Sequence, residues 1–100
     1  MPLKIESTEV PGNMVRSLTA FAGGGVFFDA EALTDSDRAI LNNAVGSLHK
    51  GDVVKLDGYS TDEHAPLNGA FRVDKIDLRE IHLPGLTRKK LHCAITFQLA

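Results

Sequence analysis

"LHCAITFQL", Leu91 to Leu99, is the stretch on which the fold turns. Leu91, Cys93, Ile95, Phe97 and Leu99 are apolar, and His92, Ala94, Thr96 and Gln98 stand between them. Strict alternation of this length has the period of a strand with one face buried and one face wet. A helix would scatter the same residues around its whole circumference. The last stretch of the chain is therefore predicted to be a half-buried strand, paired antiparallel with 76–83 across the loop "LPGLTRKK".

The preceding sequence gives further strands. "AFRVDKIDL" (70–78) puts Phe71 and Val73 on one face, but Ile76 and Leu78 fall out of phase with them. A bulge near Asp74 or Lys75 would restore the register. "DVVKLDG" (52–58) aligns Val54 with Leu56. "LKIEST" (3–8) alternates with Leu3 and Ile5 inward, and "VPGN" (10–13) is turn chemistry. "MVRSLTAFA" (14–22) and "VFFDA" (26–30) flank "GGG" (23–25), which reads as the tip of a hairpin.

One helix is visible, over about 35–49. Thr34 is a suitable N-cap, and Asp37 completes a box-like pair with it. Asp35 and Asp37 sit at the positive end of the helix dipole. Ile40, Leu41, Ala44, Val45 and Leu48 form the apolar stripe, and Gly51 is the expected C′ residue. The fold class expected is mainly β (α+β): an antiparallel β-sandwich or small barrel of about six strands, with the one helix flanking it. The 100 residues make one domain, 1–100.

Composition narrows the function classes. With 43% hydrophobic and 24% charged residues the chain is an ordinary globular one. A net charge of −2 gives no general pull toward nucleic acid or a membrane. "MPLKIESTEV" has no apolar core of a secretory signal, and no apolar run approaches the ~20 residues of a spanning helix. The single cysteine, Cys93, excludes an intramolecular disulfide and fits a reducing compartment.

Several residues could carry chemistry, and each has a plainer reading. Asp62, Glu63 and His64 suggest a metal or acid/base cluster, but "GYSTDEHAPLNG" is turn chemistry and no complementary half-site exists elsewhere. They read as a solvated loop tip. His82 and His92 would face each other if Leu83 paired with Leu91; two histidines without a third ligand read as exposed surface. Cys93 points inward, away from His92, as a structural thiol. "GGG" lacks the flanks of a phosphate loop. "TRKK" (87–90) has no interleaved aromatic residues for stacking nucleic acid, and the acidic residues Asp29, Glu31, Asp35 and Asp37, with Asp62 and Glu63, contrast with it as oppositely charged tips. No catalytic, cofactor-binding or metal residue is assigned, no cofactor is expected, and the chain reads as a non-enzyme.

"GDVVKLDGYS" followed by "LNGAFRVDKID", Gly51 to Asp77, resembles a segment of β-rich bacteriophage tail and tail-tube proteins. There Gly-Asp opens a strand and an Asn-Gly turn leads into the next. The resemblance implies a β-sandwich with one flanking helix, present in the virion after synthesis in the host cytoplasm. It implies a structural role by self-assembly into a ring-forming homo-oligomer that also meets neighbouring tail proteins. The chain is shorter than tube subunits of that family, which keeps tail-completion and baseplate-adaptor roles open beside the tube role. The 22–25, 59–69 and 84–90 segments are the contact elements it suggests. A small cytosolic protein-binding or regulatory module is the alternative.

Overall fold

The computed structural model describes residues 2–59, 66–85 and 89–100. Among the described residues, seven strands and one helix occur in the order β1 (Leu3–Ile5), β2 (Thr8–Val10), β3 (Val15–Ala20), β4 (Val26–Ala32), α1 (Asp35–Val45), β5 (Val53–Tyr59), β6 (Pro66–His82) and β7 (Lys89–Leu99). All strands belong to one antiparallel sheet, ordered β2-β1-β5-β6-β7-β4-β3. The mainly β, α+β class is thus present, with one helix among the described residues. The strands described there number seven, and they form one sheet that is not closed.

That sheet is nevertheless strongly curled, and the connectivity requires it. β2 and β3 are its two edges, yet Val10 and Val15 are five residues apart in the chain. Five peptide units reach at most roughly 18 Å. A flat sheet of this width would hold its edges about 29 Å apart. The sheet therefore rolls until its edges approach, and Met14 at the junction is buried, its carbonyl accepting from the Glu31 N–H at 3.0 Å. α1 packs against β2 on one side of the opening and against β4 and β7 on the other. Leu41, Ala44 and Val45 of the helix enter the same apolar cluster as Leu3, Phe28, Leu56, Ile95 and Phe97.

The long strand β6 makes the roll possible. Its first part, 66–72, pairs with β5, and 71–82 pairs with β7. Between the two, the β6–β7 register shifts at Val73/Lys75, leaving Asp74 as the extra residue. The shift brings Ile76 and Leu78 opposite Ile95 and Cys93 on the face that carries Phe71 and Val73. The bulge expected at Asp74 or Lys75 is present, and a bulge of this kind adds the local bend a curled sheet needs.

Three expectations are corrected. Residues 3–8 are not one strand: β1 (Leu3–Ile5) and β2 (Thr8–Val10) are joined by the tight turn Glu6–Ser7, because Glu6 adopts φ 55°. A left-handed glutamate is uncommon. Here β5 holds it twice: the Glu6 N–H donates to Lys55 O at 2.8 Å, and the Lys55 N–H donates to Glu6 Oε1 at 3.2 Å. The helix stops at Val45 rather than near 49, with Gly46 as its cap. The Asp52 carboxylate accepts the His49 N–H at 2.9 Å and draws 47–51 into a turn, so Gly51, at φ 95°, serves the entry to β5. Leu99 ends its strand 60% exposed, beyond the cover of the core.

The cap itself forms as expected. Thr34 Oγ1 accepts the Asp37 N–H at 3.1 Å. Arg38, one turn in, donates from Nη1 to Leu33 O at 2.9 Å and to Lys89 O at 2.7 Å. Its other terminal nitrogen pairs with Asp35. One guanidinium thereby ties the start of the helix to the start of β7.

Candidate functional site

Alternation in β4 and β7 fixes which side chains leave the core. Phe28, Ala30, Cys93 and Ile95 are buried, so Phe27, Asp29, Glu31, His92, Ala94 and Thr96 lie on the outer face. The ladder sets them in rows: Glu31 beside His92 beside Arg79, and Asp29 beside Ala94 beside Asp77. Opposite charges on facing strands settle into pairs. Arg16 Nη1 lies 2.6 Å from Glu31 Oε2, and Lys90 Nζ contacts the other oxygen of the same carboxylate. His92 Nε2 lies 2.7 Å from Asp29 Oδ1, and within β6 itself Arg79 Nε lies 2.8 Å from Asp77 Oδ1.

Hydrogen bonding from Lys90, opposed by partial desolvation and aided by Arg16, holds the Glu31 carboxyl below the usual carboxylate range. A carboxyl lowered on folding stabilises the protein above its ordinary value of 4.5 and ceases to do so as pH falls through the folded value. Glu31→Gln is therefore expected to cost about 1 kcal/mol in urea unfolding near neutrality. The gap to the wild type closes as pH drops below 4.5. A gap that persists in acid would assign the effect to packing. On the inner side of the same strands, burial, with Asp29 and Asp77 adding to it, pushes the Cys93 thiol up to about 12. Cys93 is the buried structural thiol expected of an inward position.

The register separates the two histidines. His92 stands opposite Arg79, and His82 stands opposite Lys89. A Leu83–Leu91 pairing, the condition for the two histidines to face each other, would have set Arg79 against Ile95. The observed register instead places Ile76 on Ile95 and Leu78 on Cys93, keeping apolar residues together. Asp62, Glu63 and His64 lie outside the described residues, as do Thr87 and Arg88 of "TRKK". Lys89 and Lys90 are in β7, where they pair with Glu80 at 3.7 Å and with Glu31. Asp29 and Glu31 are mid-strand rather than at a tip, because β4 extends to Ala32. Among the described residues, no group of three or more histidine, cysteine, aspartate and glutamate side chains could hold a metal ion.

Asp29 and His92 form a hydrogen-bonded couple of the kind used in proton transfer, but its setting is an open sheet face. Ser17, opposite Asp29, shares its hydroxyl with Thr19 Oγ1 at 3.0 Å. A cleft of about 280 Å³ lies elsewhere, lined by Leu33, Thr34, Asp35 and Arg38 at the start of the helix.

The remaining surface features are apolar. Phe21 (54%), Leu99 (60%) and Val53 (51%) are exposed, as are Leu33 (48%) and Ile81 (38%). Phe21 belongs to the turn after β3, where its N–H donates to Gly25 O at 2.8 Å. Gly23 and Gly24 turn the chain with φ near 91° and 92°, so the "GGG" tip forms as expected. Gly24 lies against Leu99 so closely that a Cβ there would sit 2.9 Å from Leu99 Cβ. Sequence reasoning located this turn but not its juxtaposition with the end of β7, which the pairing of Val26 with Phe97 creates. "AFAGGGV" (20–26), a run without charge in a chain that is 24% charged, was the available signal.

Comparison with known proteins finds no matching family model, no matching curated protein and no matching solved structure.

Proposed function

We propose that this chain is a non-enzymatic structural component of a bacteriophage or phage-like tail, of the tube, tail-completion or baseplate-adaptor type, acting by self-assembly. The tail assignment draws on the resemblance of Gly51–Asp77. The observation that carries the assembly role is the placement of exposed apolar side chains. Phe21 and Leu99 lie at one end of the sheet, and Leu33 and Ile81 lie toward the other. Apolar side chains grouped at two separate places, the first beside the uncharged run 20–26, are suited to burial against other chains. On the sheet face between them Arg16, Lys90 and Arg79 each meet a carboxylate, and His92 hydrogen-bonds with Asp29. No helix of the described residues is long and apolar enough to cross a membrane.

Mass in solution, measured by light scattering at rising concentration, tests this reading. A tail component of this kind gives a discrete multiple of 10.8 kDa, seen as closed rings by electron microscopy. A chain that stays at 10.8 kDa is instead a monomeric protein-binding or regulatory module.

A further inference from the structure

The second half of β6 is a strand with a neighbour on one side only. β5 pairs with 66–72, and Val73 completes that side by donating its N–H to Asp52 O at 2.8 Å and accepting the Gly51 N–H at 2.7 Å. At Gly51, with φ 95°, the chain turns away. From Lys75 to His82, β6 pairs with β7 alone among the described residues.

The ladder fixes where the backbone groups of this edge point. Glu31 gives its N–H to Met14 O on the β3 side, so its neighbour Ala30 turns its own groups toward β7. Cys93, paired with Ala30, therefore bonds to β4, and Leu78, on the other side of Cys93, turns its N–H and C=O away from β7. Ile76, Glu80 and His82 share that direction, two residues apart along the strand. Such a row is a template for an added strand. The inner face is unfinished at the same place: Ile95 and Cys93 are fully buried, whereas Ile76 and Leu78 beside them are half-buried.

Charge selects the strand that fits. A second copy placed by a two-fold axis normal to the sheet runs antiparallel with like faces aligned. Centring the axis on Asp77, Arg79 or Glu80 opposes like charges. Centring it on Ile76 or Ile81 runs the pair into β5 or into Pro84. Centring it on Leu78 sets Leu78 against Leu78 and, twice, Asp77 against Arg79. Arg79 Nε already lies 2.8 Å from Asp77 Oδ1 of its own strand, so the second copy completes a square of four charges that alternate in sign. Ile81 then meets the stem of Lys75, and Ile76 meets the stem of Glu80, whose carboxylate lies 3.7 Å from Lys89 Nζ.

We propose that residues 75–81 of β6 pair antiparallel about Leu78 with the same segment of a second copy, joining two sheets edge to edge. The contact rests on the self-assembly reading and names one interface of it. It joins like surfaces, so it closes as a pair and leaves Phe21 and Leu99 exposed for further contacts.

Charge reversal, read by light scattering, tests the contact. Asp77→Arg sets four cations together and Arg79→Asp four carboxylates, so each variant alone is expected to associate about tenfold or more weakly than the wild type. Mixed in equal amounts, the two variants face each other with opposite charges and are expected to pair about tenfold or more tightly than either alone. A mixture no better than its components overturns the contact. Leu78→Cys supplies a second arm, since facing Cα atoms about 5.5 Å apart suit a disulfide. Cys93 is buried and does not compete. Under mild oxidation Leu78→Cys should link to itself about tenfold or more faster than Lys75→Cys, although position 75 is the more exposed; equal or slower linkage also overturns the contact. If the wild type associates and either arm fails, this interface is wrong and self-assembly stands. A wild type that remains monomeric at concentrations on the order of 1 mM removes both.

Discussion

Ile95→Asp is expected to abolish cooperative folding, while Thr96→Asp, one residue later, leaves it intact. Ile95 is fully buried, paired with Phe28 on one side and Ile76 on the other. Aspartate there removes a branched aliphatic from a packed site, at about 2–5 kcal/mol. It also places a carboxyl where no described polar side chain waits for it, and burial of an unsatisfied polar group adds several kcal/mol. The sum is comparable to the whole stability of a domain of this size, about 5–15 kcal/mol. Thr96 points to the outer face between Phe27 and Lys75. A carboxylate there stays hydrated and gains a cationic neighbour, so the change is within about 1 kcal/mol. Circular dichroism and urea unfolding of the two variants read the contrast. Similar losses at both positions would mean that the last strand does not divide its side chains between core and solvent.

Phe28→Ala should be the most costly truncation in β4. The ring is fully buried, opposite Leu18 on β3 and Ile95 on β7, where the curled sheet is covered on its inner side. Removing it costs about 3–5 kcal/mol, since the surrounding strands cannot collapse into the space. For a domain of about this length, that lowers the thermal midpoint by at least ~12 °C. Phe27→Ala, on the outer face beside Thr19 and Thr96, should lower it by only a few degrees, roughly 1 kcal/mol. If the two truncations cost the same, the inward and outward faces of β4 have been exchanged.

Legibility of the fold in the sequence followed the range of the forces involved. The alternation of 91–99 needs only local geometry, and the structure buries Leu91, Cys93, Ile95 and Phe97 together. The bulge at Asp74 was readable because the apolar phase of 70–78 breaks there and nowhere else in that strand. Thr34 and Asp37 announced the helix start through a hydrogen bond three residues long. What the sequence hid depends on distant partners. Glu6 turns the chain because Lys55, far along the sequence, holds it; no Asn-Gly pair announces the hairpin. The helix end was misplaced because Asp52 competes for His49 from beyond the apparent stripe.

The surface chemistry divides in the same way. The register of β6 on β7 is fixed by Ile76 and Leu78 meeting Ile95 and Cys93, and that choice parted His82 from His92. The Asp29–His92 and Glu31–Lys90 contacts require β4 and β7 to be neighbours, although more than fifty residues separate them in the chain. Length patterns in one sequence do not specify such neighbours. Once the sheet order is known, the outward positions of both strands follow from their period of two.

Hydrogen exchange at low and at high protein concentration tests most directly whether this domain acts by meeting copies of itself. Self-association through the open edge of β6 predicts slower exchange at 76–82 as concentration rises, with β4 and β7 protected equally throughout. Identical exchange at both concentrations, with the mass constant at 10.8 kDa, would contradict it.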